Sequence, residues 1–324
     1  MLAWFADKHV VARRHDDVLI VERNGPPGDD ISGPEQKLMG PRMIYDCFLF
    51  YNEVEILKVR MHELSDIVDR FVIVESTRTF QGQSKPLWFQ ANRHAFQAFE
   101  SKIIHKVCDI PEPETGVLPG RAPSAAWARE HYQRNFIATA LGDLRDDDLV
   151  MISDVDEIVS AEALRRALHE RRKHDLTIFE MPNFTGFFNR KMTAVSWLHG
   201  PRMIEFSHFT TPQKMRMTRA FASRRLKGGL LGRVHTRIWN YFHTGVGAPV
   251  RIYYNAGWHF TSIGDWNAWR NKVNSFSHEE LKGTDSYLRE DAFMENVLQS
   301  TRSVPISELP EYIRKNKEQF LFLE

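Results

Sequence analysis

Two cysteines, Cys47 and Cys108, are all the thiols in a chain of 324 residues. That excludes a disulfide-stapled scaffold and a four-thiolate zinc site, and it favours a reducing compartment. Long apolar runs are missing as well. Nothing approaches the roughly 18–20 residues needed to span a bilayer, and Met1–Asp7 lacks the architecture of a cleavable signal. A soluble, cytoplasmic protein is the expectation. Net charge is almost absent: 43 Lys+Arg stand against 42 Asp+Glu, leaving +1. Such balance provides no long-range field to hold a nucleic-acid backbone, so no nucleic-acid partner is expected. What is there, 42% hydrophobic and 26% charged residues, is ordinary globular composition with ample material for a core.

The stretch from Asn24 to Arg42 is dense in Gly and Pro, the composition of a linker. Residues 1–42 are therefore expected to be either a flexible N-terminal arm or the product of a misassigned start upstream of Met43. Organised pattern begins at Met43. Met43–Tyr51 is an apolar run suited to a buried strand, and Val54, Leu57, Met61 and Leu64 follow at helical spacing. Arg70–Ser76 and Ile103–Cys108 read as further buried strands. A helix is predicted near Ala125–Leu141, a fourth strand over Asp148–Ser153, and another helix over Ser160–Lys173. Strands alternating with helices predict an α/β fold with a mostly parallel central sheet flanked by helices. Residues 176–260 show weak helical periodicity and are read as irregular strands and loops, with helical segments over 265–300 and 306–323.

The most informative residues are Asp154, Val155, Asp156 and Glu157, directly after the apolar strand. Strand alternation points Asp154 and Asp156 the same way. Paired carboxylates repel unless a cation sits between them. Mg²⁺ or Mn²⁺ takes oxygen ligands and keeps substrate phosphates in its shell, and ligands of open α/β sheets bind at the carboxyl ends of strands. Position and chemistry agree on a metal-diphosphate site. The competing readings are a solvated acidic loop, or the aspartyl nucleophile of a phosphatase.

Five ordered segments narrow the choice: YDCFLFYNEVEIL (45–57), DRFVIVESTRTFQG (69–82), AWAREHYQRN (126–135), DDLVMISDVDEI (147–158) and NAGWHF (255–260). Together they resemble nucleotide-sugar glycosyltransferases of the GT-A fold and, more narrowly, glycosyltransferase family 17, the β-1,4-N-acetylglucosaminyltransferases. The resemblance runs from about Met43 to the C-terminus. It implies a donor half over about 43–160, an acceptor half over about 176–300 and C-terminal helices over about 265–323. It further implies a UDP-GlcNAc-like donor, a carbohydrate acceptor, Mn²⁺ or Mg²⁺, and inversion at the anomeric carbon. Family members commonly carry Pro where this chain has Val159.

By the same resemblance Asp156 ligates the metal, Asp154 contacts ribose, metal or metal-bound water, and His259 supplies a late third ligand, imidazole suiting Mn²⁺. Glu75 matches a uridine- or ribose-binding position, and Asn52 and Glu53 sit at another strand end, where Glu53 alternatively caps the following helix. Arg129 and Arg134 offer guanidiniums to diphosphate oxygens, or else pair with Glu130. Single displacement needs a carboxylate base; Asp291 and then Glu280 are the candidates. A catalytically silent carbohydrate- or nucleotide-binding relative is the alternative function.

Overall fold

The computed structural model of the chain describes residues 10–15, 18–23, 42–111, 124–223, 229–277 and 279–323. Strands β1 (Val10–His15) and β2 (Val18–Arg23) form an antiparallel hairpin; the rest of the 1–41 stretch lies outside the described residues. The strands that follow are β3 (Ile44–Phe50), β4 (Arg70–Ser76), β5 (Ile103–Cys108), β6 (Leu149–Asp154) and β7 (Glu157–Val159). Next come β8 (Leu176–Phe179), β9 (Met181–Gly186), β10 (Arg190–Trp197) and β11 (Arg202–Glu205). β12 (Val250–Tyr253), β13 (Gly257–Ile263) and β14 (Thr301–Ser303) complete the set.

They build two mixed sheets, one of seven strands in the order β12-β8-β11-β6-β3-β4-β5 and one of five in the order β14-β10-β9-β13-β7. In the larger sheet β3 pairs in parallel with β4 and β6, β4 with β5, and β8 with β12, while β11 runs against both its neighbours. The α/β architecture expected from the alternating pattern is present.

The apolar run of β3 is explained by burial on both faces. Ile44, Phe48 and Phe50 point into a core shared with Leu57, Met61 and Leu64 of the Val54–Leu64 helix. Tyr45, Cys47 and Leu49 point the other way, toward Ala128 and Tyr132 of the Ala125–Phe136 helix. Both cysteines are free and buried. A third core lies between the five-stranded sheet and the C-terminal residues Leu309, Ile313 and Phe320.

Residues 154–157 are where the chain leaves one sheet and enters the other, since β6 belongs to the seven-stranded sheet and β7 to the five-stranded one. Asp46, on the helix-facing side of β3, is fully buried and accepts two hydrogen bonds from the fully buried Arg60 guanidinium. That guanidinium also donates to Ser153 Oγ and to the carbonyls of Asp154, Val155 and Glu157 at 3.0, 3.2 and 2.9 Å. β13 closes onto β7 with Gly257 opposite Val159. Gly257 has φ +151°, and a Cβ there would meet the Ile158 carbonyl at 2.0 Å, so only glycine allows this approach.

The region 176–260 departs from expectation. It carries ordered strands and a 15-residue helix, Leu230–Thr244. Its buried positions are Gly232, Thr236, Asn240 and Thr244, small or polar residues that give no apolar helical stripe. Arg60→Met tests the pin between the sheets. Leaving the Asp46 carboxylate buried and unpaired is expected to lower the unfolding free energy by about 3–5 kcal/mol, read from urea denaturation. A loss below about 1 kcal/mol would show that water substitutes for the guanidinium.

Candidate active site at the corner between the sheets

The turn from β6 to β7 presents three acids, and three cations meet them, Arg216 serving two. Asp154, at the tip of β6, takes Arg134 at 3.1 Å and Arg216 at 2.8 Å, its side chain remaining 36% exposed. Glu157 is fully buried and accepts from Arg216 and from Trp197 Nε1, while its Oε2 also takes the Asp154 amide at 3.0 Å. Asp156 lies 2.8 Å from Lys272 Nζ and 3.7 Å from His259 Nε2.

These partners arrive from separate elements. Arg134 is on the Ala125–Phe136 helix, which Ser124 caps. Arg216 is on the Pro212–Met217 helix, capped by Thr211. Lys272 is on the Trp266–Ser275 helix, whose cap Asp265 accepts from the Ala268 amide at 2.8 Å. His259 reaches the turn through β13, where it sits opposite Glu157 and beside Asn183.

The electrostatics follow from these neighbours. Burial opposes ionisation of Asp154, but the Arg216 and Arg134 guanidiniums outweigh it and hold the carboxyl well below the usual carboxylate range. Burial disfavours charge on Lys272, yet Asp156 and Glu53 keep its ammonium protonated beyond the ordinary value. Burial lowers His259 and leaves the ring neutral near pH 7. Its Nδ1 lies 2.7 Å from Asn183 Oδ1. An amide oxygen only accepts, so Nδ1 carries the proton and the Nε2 lone pair is turned toward Asp156.

A cavity of about 670 Å³ opens past the ends of β3 and β4, lined by Tyr51 and Asn52 after β3, Gln81, Gln83 and Trp88 after β4, and Asn271, Asn274, Ser275 and Lys282, with no residue of the 154–157 turn in its wall. Its walls are amides, hydroxyls, two aromatic rings and one lysine. Asn52 is among its lining residues. Glu53 borders it, its Oε2 accepting from the amides of Tyr51 and Asn52 at 3.2 and 3.0 Å. The carboxylate therefore folds back on the preceding turn and makes no cap bond to the helix after it. Burial pushes it up, and Lys272 pulls it down.

Other expected residues are placed elsewhere. Glu75 is fully buried beneath the Trp88–Asn92 helix, accepting from the Phe89 amide at 2.9 Å with Lys85 and His105 nearby, and it does not line the cavity. Arg129 donates to the Phe80 carbonyl at 2.9 Å and packs on Gly82, supporting the loop that carries Gln81 and Gln83. Arg134 pairs with both Glu130 and Asp154, so the ion pair with Glu130 weighed for it is present and a second carboxylate shares the guanidinium. The expected metal set is reduced: Asp156 and His259 face each other, while Asp154 is turned to its arginines. Asp291 corrects the expectation of a base. It stands on the surface in the first turn of the Glu290–Ser300 helix, 73% exposed and paired with Arg289 at 2.6 Å. The first turn of a helix favours an acid through the exposed amides and the macrodipole, which accounts for it. Glu280 falls in the short turn Glu279–Gly283, and its side chain lies outside the described residues.

Sequence reasoning missed Arg60, Arg216 and Lys272. Each follows another base two residues earlier, Lys58, Lys214 and Arg270, and nothing local marks which of the two reaches the acids. A separate convergence of possible ligand atoms, His174, Glu205 and His208, lies at the opposite end of β11, since Glu205 is in register with Leu149 at the start of β6. There Arg171 already faces Glu205 at 3.2 Å.

The model of "Glycosyltransferase family 17" matches residues 33–218, more than half of the chain and the stretch that holds Asp154, Asp156, Arg134 and Arg216. Curated relatives include the "Beta-1,4-mannosyl-glycoprotein 4-beta-N-acetylglucosaminyltransferase" of Rattus norvegicus, 25% identical over 87% of this chain and 54% of that protein. Its counterpart in Mus musculus is 24% identical over the same shares. The Homo sapiens protein of that name is 26% identical over 53% of this chain and 35% of its own length. The chain spans about half the length of the first two relatives.

Asp154→Asn tests the arginine pair through pH. A carboxyl held below its unfolded value of roughly 3.9 stabilises the fold above that pH, and the contribution drains away as pH falls further. The difference in melting temperature between wild type and Asp154→Asn is expected to stay level from about pH 8 to 5 and to shrink below about pH 4. A difference that is unchanged at about pH 3 would contradict this assignment.

Proposed function

We propose that this chain, which belongs to glycosyltransferase family 17, moves a sugar from a UDP donor to a hydroxyl of a carbohydrate acceptor, with inversion, on a GT-A-type fold. GlcNAc is the donor sugar that the relatives' names support. The observation that carries the reading is the placement of Asp156 and His259, 3.7 Å apart, just past the end of β6 and bonded through Lys272 to the helix whose Asn271, Asn274 and Ser275 line a polar cavity. Ligands of open α/β sheets gather at such strand ends. The cavity supplies amides and hydroxyls for ribose and sugar hydroxyls, and the rings of Tyr51 and Trp88 for a flat base.

Asp156 and His259 fit Mn²⁺ or Mg²⁺ as a two-residue donor set, because the neutral ring keeps its Nε2 lone pair facing the carboxylate. When bound, the ion supplies Lewis-acid neutralisation of the diphosphate leaving group. The chain's own residues do the rest. Arg60 fixes the backbone of the turn, Arg134 and Arg216 orient Asp154, and Lys272 adds fixed positive charge where negative charge develops. Preorganised charge of this kind needs no rearrangement as the glycosidic bond breaks.

A second reading rests on one contact. Lys272 Nζ lies 2.8 Å from Asp156 Oδ2, so a fixed ammonium occupies part of the space an ion would use. Transfer then proceeds without metal. A panel of UDP-sugars with Mn²⁺, with Mg²⁺ and with EDTA separates the two, reading melting temperature and slow donor hydrolysis. UDP-GlcNAc is expected to raise the melting temperature, and Asp156→Ala to cut hydrolysis by roughly 100-fold or more. Activity that survives EDTA but not Lys272→Met selects the second reading. Absence of a shift with any UDP-sugar, in metal or in EDTA, sinks the proposal.

A further inference from the structure

The Leu230–Thr244 helix is built inside out. At 100° per residue its buried positions, Gly232, Thr236, Asn240 and Thr244, form one narrow stripe of small and polar side chains. The opposite face carries Leu230, Leu231 and Phe242 at 78, 75 and 77% exposure, with Val234, Ile238 and Tyr241 about half exposed. Six large apolar side chains thus share one arc that faces solvent on a single helix. Isolated exposed apolar residues are normal; a contiguous patch marks an interaction site.

What covers this face is indicated by charge. From Phe206 to Gly264 the sequence contains nine Lys/Arg and no Asp or Glu, whereas the remainder of the chain holds 34 Lys/Arg against 42 Asp/Glu. On the helix itself Arg233 and Arg237 flank the apolar arc on one side, and His235 and Trp239 flank it on the other. Arg219 stacks on the Trp239 ring at 4.0 Å, and Trp239 stacks on His243. An apolar face bordered by arginine and tryptophan is the pattern of a helix lying in a membrane interface. Fifteen residues rise only about 22 Å, too short to cross a hydrocarbon core of about 30 Å. No helix among the described residues is long and apolar enough to do so. A second copy docked through the same face would set two such basic surfaces against each other with no acid in either to pair them.

We propose that the Leu230–Thr244 helix docks this protein on the surface of an anionic lipid bilayer, its apolar arc among the acyl chains and its arginines at the headgroups. The helix is coupled to the candidate site through the backbone. Asn240 clamps Arg219, accepting from its amide at 2.8 Å and donating to its carbonyl at 3.0 Å, and Thr236 accepts from the Ala222 amide. Arg219 lies three residues after Arg216, which holds Asp154 and Glu157. The proposal is independent of the donor and of the transfer reaction.

The test is co-sedimentation of the full chain with vesicles of phosphatidylcholine alone and of phosphatidylcholine containing 30% phosphatidylglycerol, at low and high salt. Binding is expected only to the anionic vesicles, weakening with salt. The double variant Leu231→Glu/Phe242→Glu, altered only at exposed positions, is expected to lose binding by tenfold or more with an unchanged melting temperature. Arg233→Glu is expected to weaken binding at least about fivefold, the share of one basic residue near such a surface. Failure of the wild type to sediment with anionic vesicles overturns the proposal. So does concentration-dependent dimerisation in place of vesicle binding, abolished by the same double variant, because it assigns the face to a second copy.

Discussion

One buried guanidinium holds the site together. A chain that turns from one sheet into another leaves backbone carbonyls that neither ladder can pair, and each is costly if it stays unpaired. Arg60 answers three of them, at Asp154, Val155 and Glu157, from Nη1 alone, while Asp46 accepts from Nε and Nη2 and neutralises the guanidinium. A buried ion pair adds little net stability over an apolar pair of the same volume. The arrangement makes sense as positioning: it fixes where the carboxylates of the turn stand relative to both sheets.

Around that fixed turn the charges are balanced and shared. Asp154, Asp156 and Glu157 meet Arg134, Arg216 and Lys272, and Arg216 bridges two of the acids. The cations come from three helices, and two of those helices, Pro212–Met217 and Trp266–Ser275, also carry or adjoin the walls of the polar cavity and the outward-facing helix. An anionic ligand entering here meets cations already committed to carboxylates. Its phosphates therefore compete with Asp154, the one acid of the three that is substantially exposed, before they reach the buried pair.

Much of this was legible in the sequence, and the limits are physical. β3, β4, β5 and β6 announced themselves because strands buried on both faces read as unbroken apolar runs. Asp154 and Asp156 stood out because polar groups next to such runs lie at strand ends, whereas His259, inside β13, was reached through the family resemblance. The basic partners were invisible, since a lysine bonded to Asp156 across 116 residues has the same local sequence as one in solvent. Glu75 and Asp291 misled for opposite reasons: the first is a strand-end acid consumed by a backbone amide, the second an ordinary acid at a helix start. The Leu230–Thr244 helix does carry its apolar residues at helical spacing, Leu230, Val234, Ile238 and Tyr241 among them, but the aromatic and glycine residues around it obscured that period, and a period does not tell which face turns inward.

The long loop closed by Lys272 has a consequence for biosynthesis. Asp46 and Arg60 are 14 residues apart and can meet as soon as β3 and the Val54–Leu64 helix leave the ribosome. Asp156 emerges more than a hundred residues before its ammonium partner. Throughout that interval of translation Asp156 lacks its ammonium partner, and burying the carboxylate stays costly until Lys272 has been made.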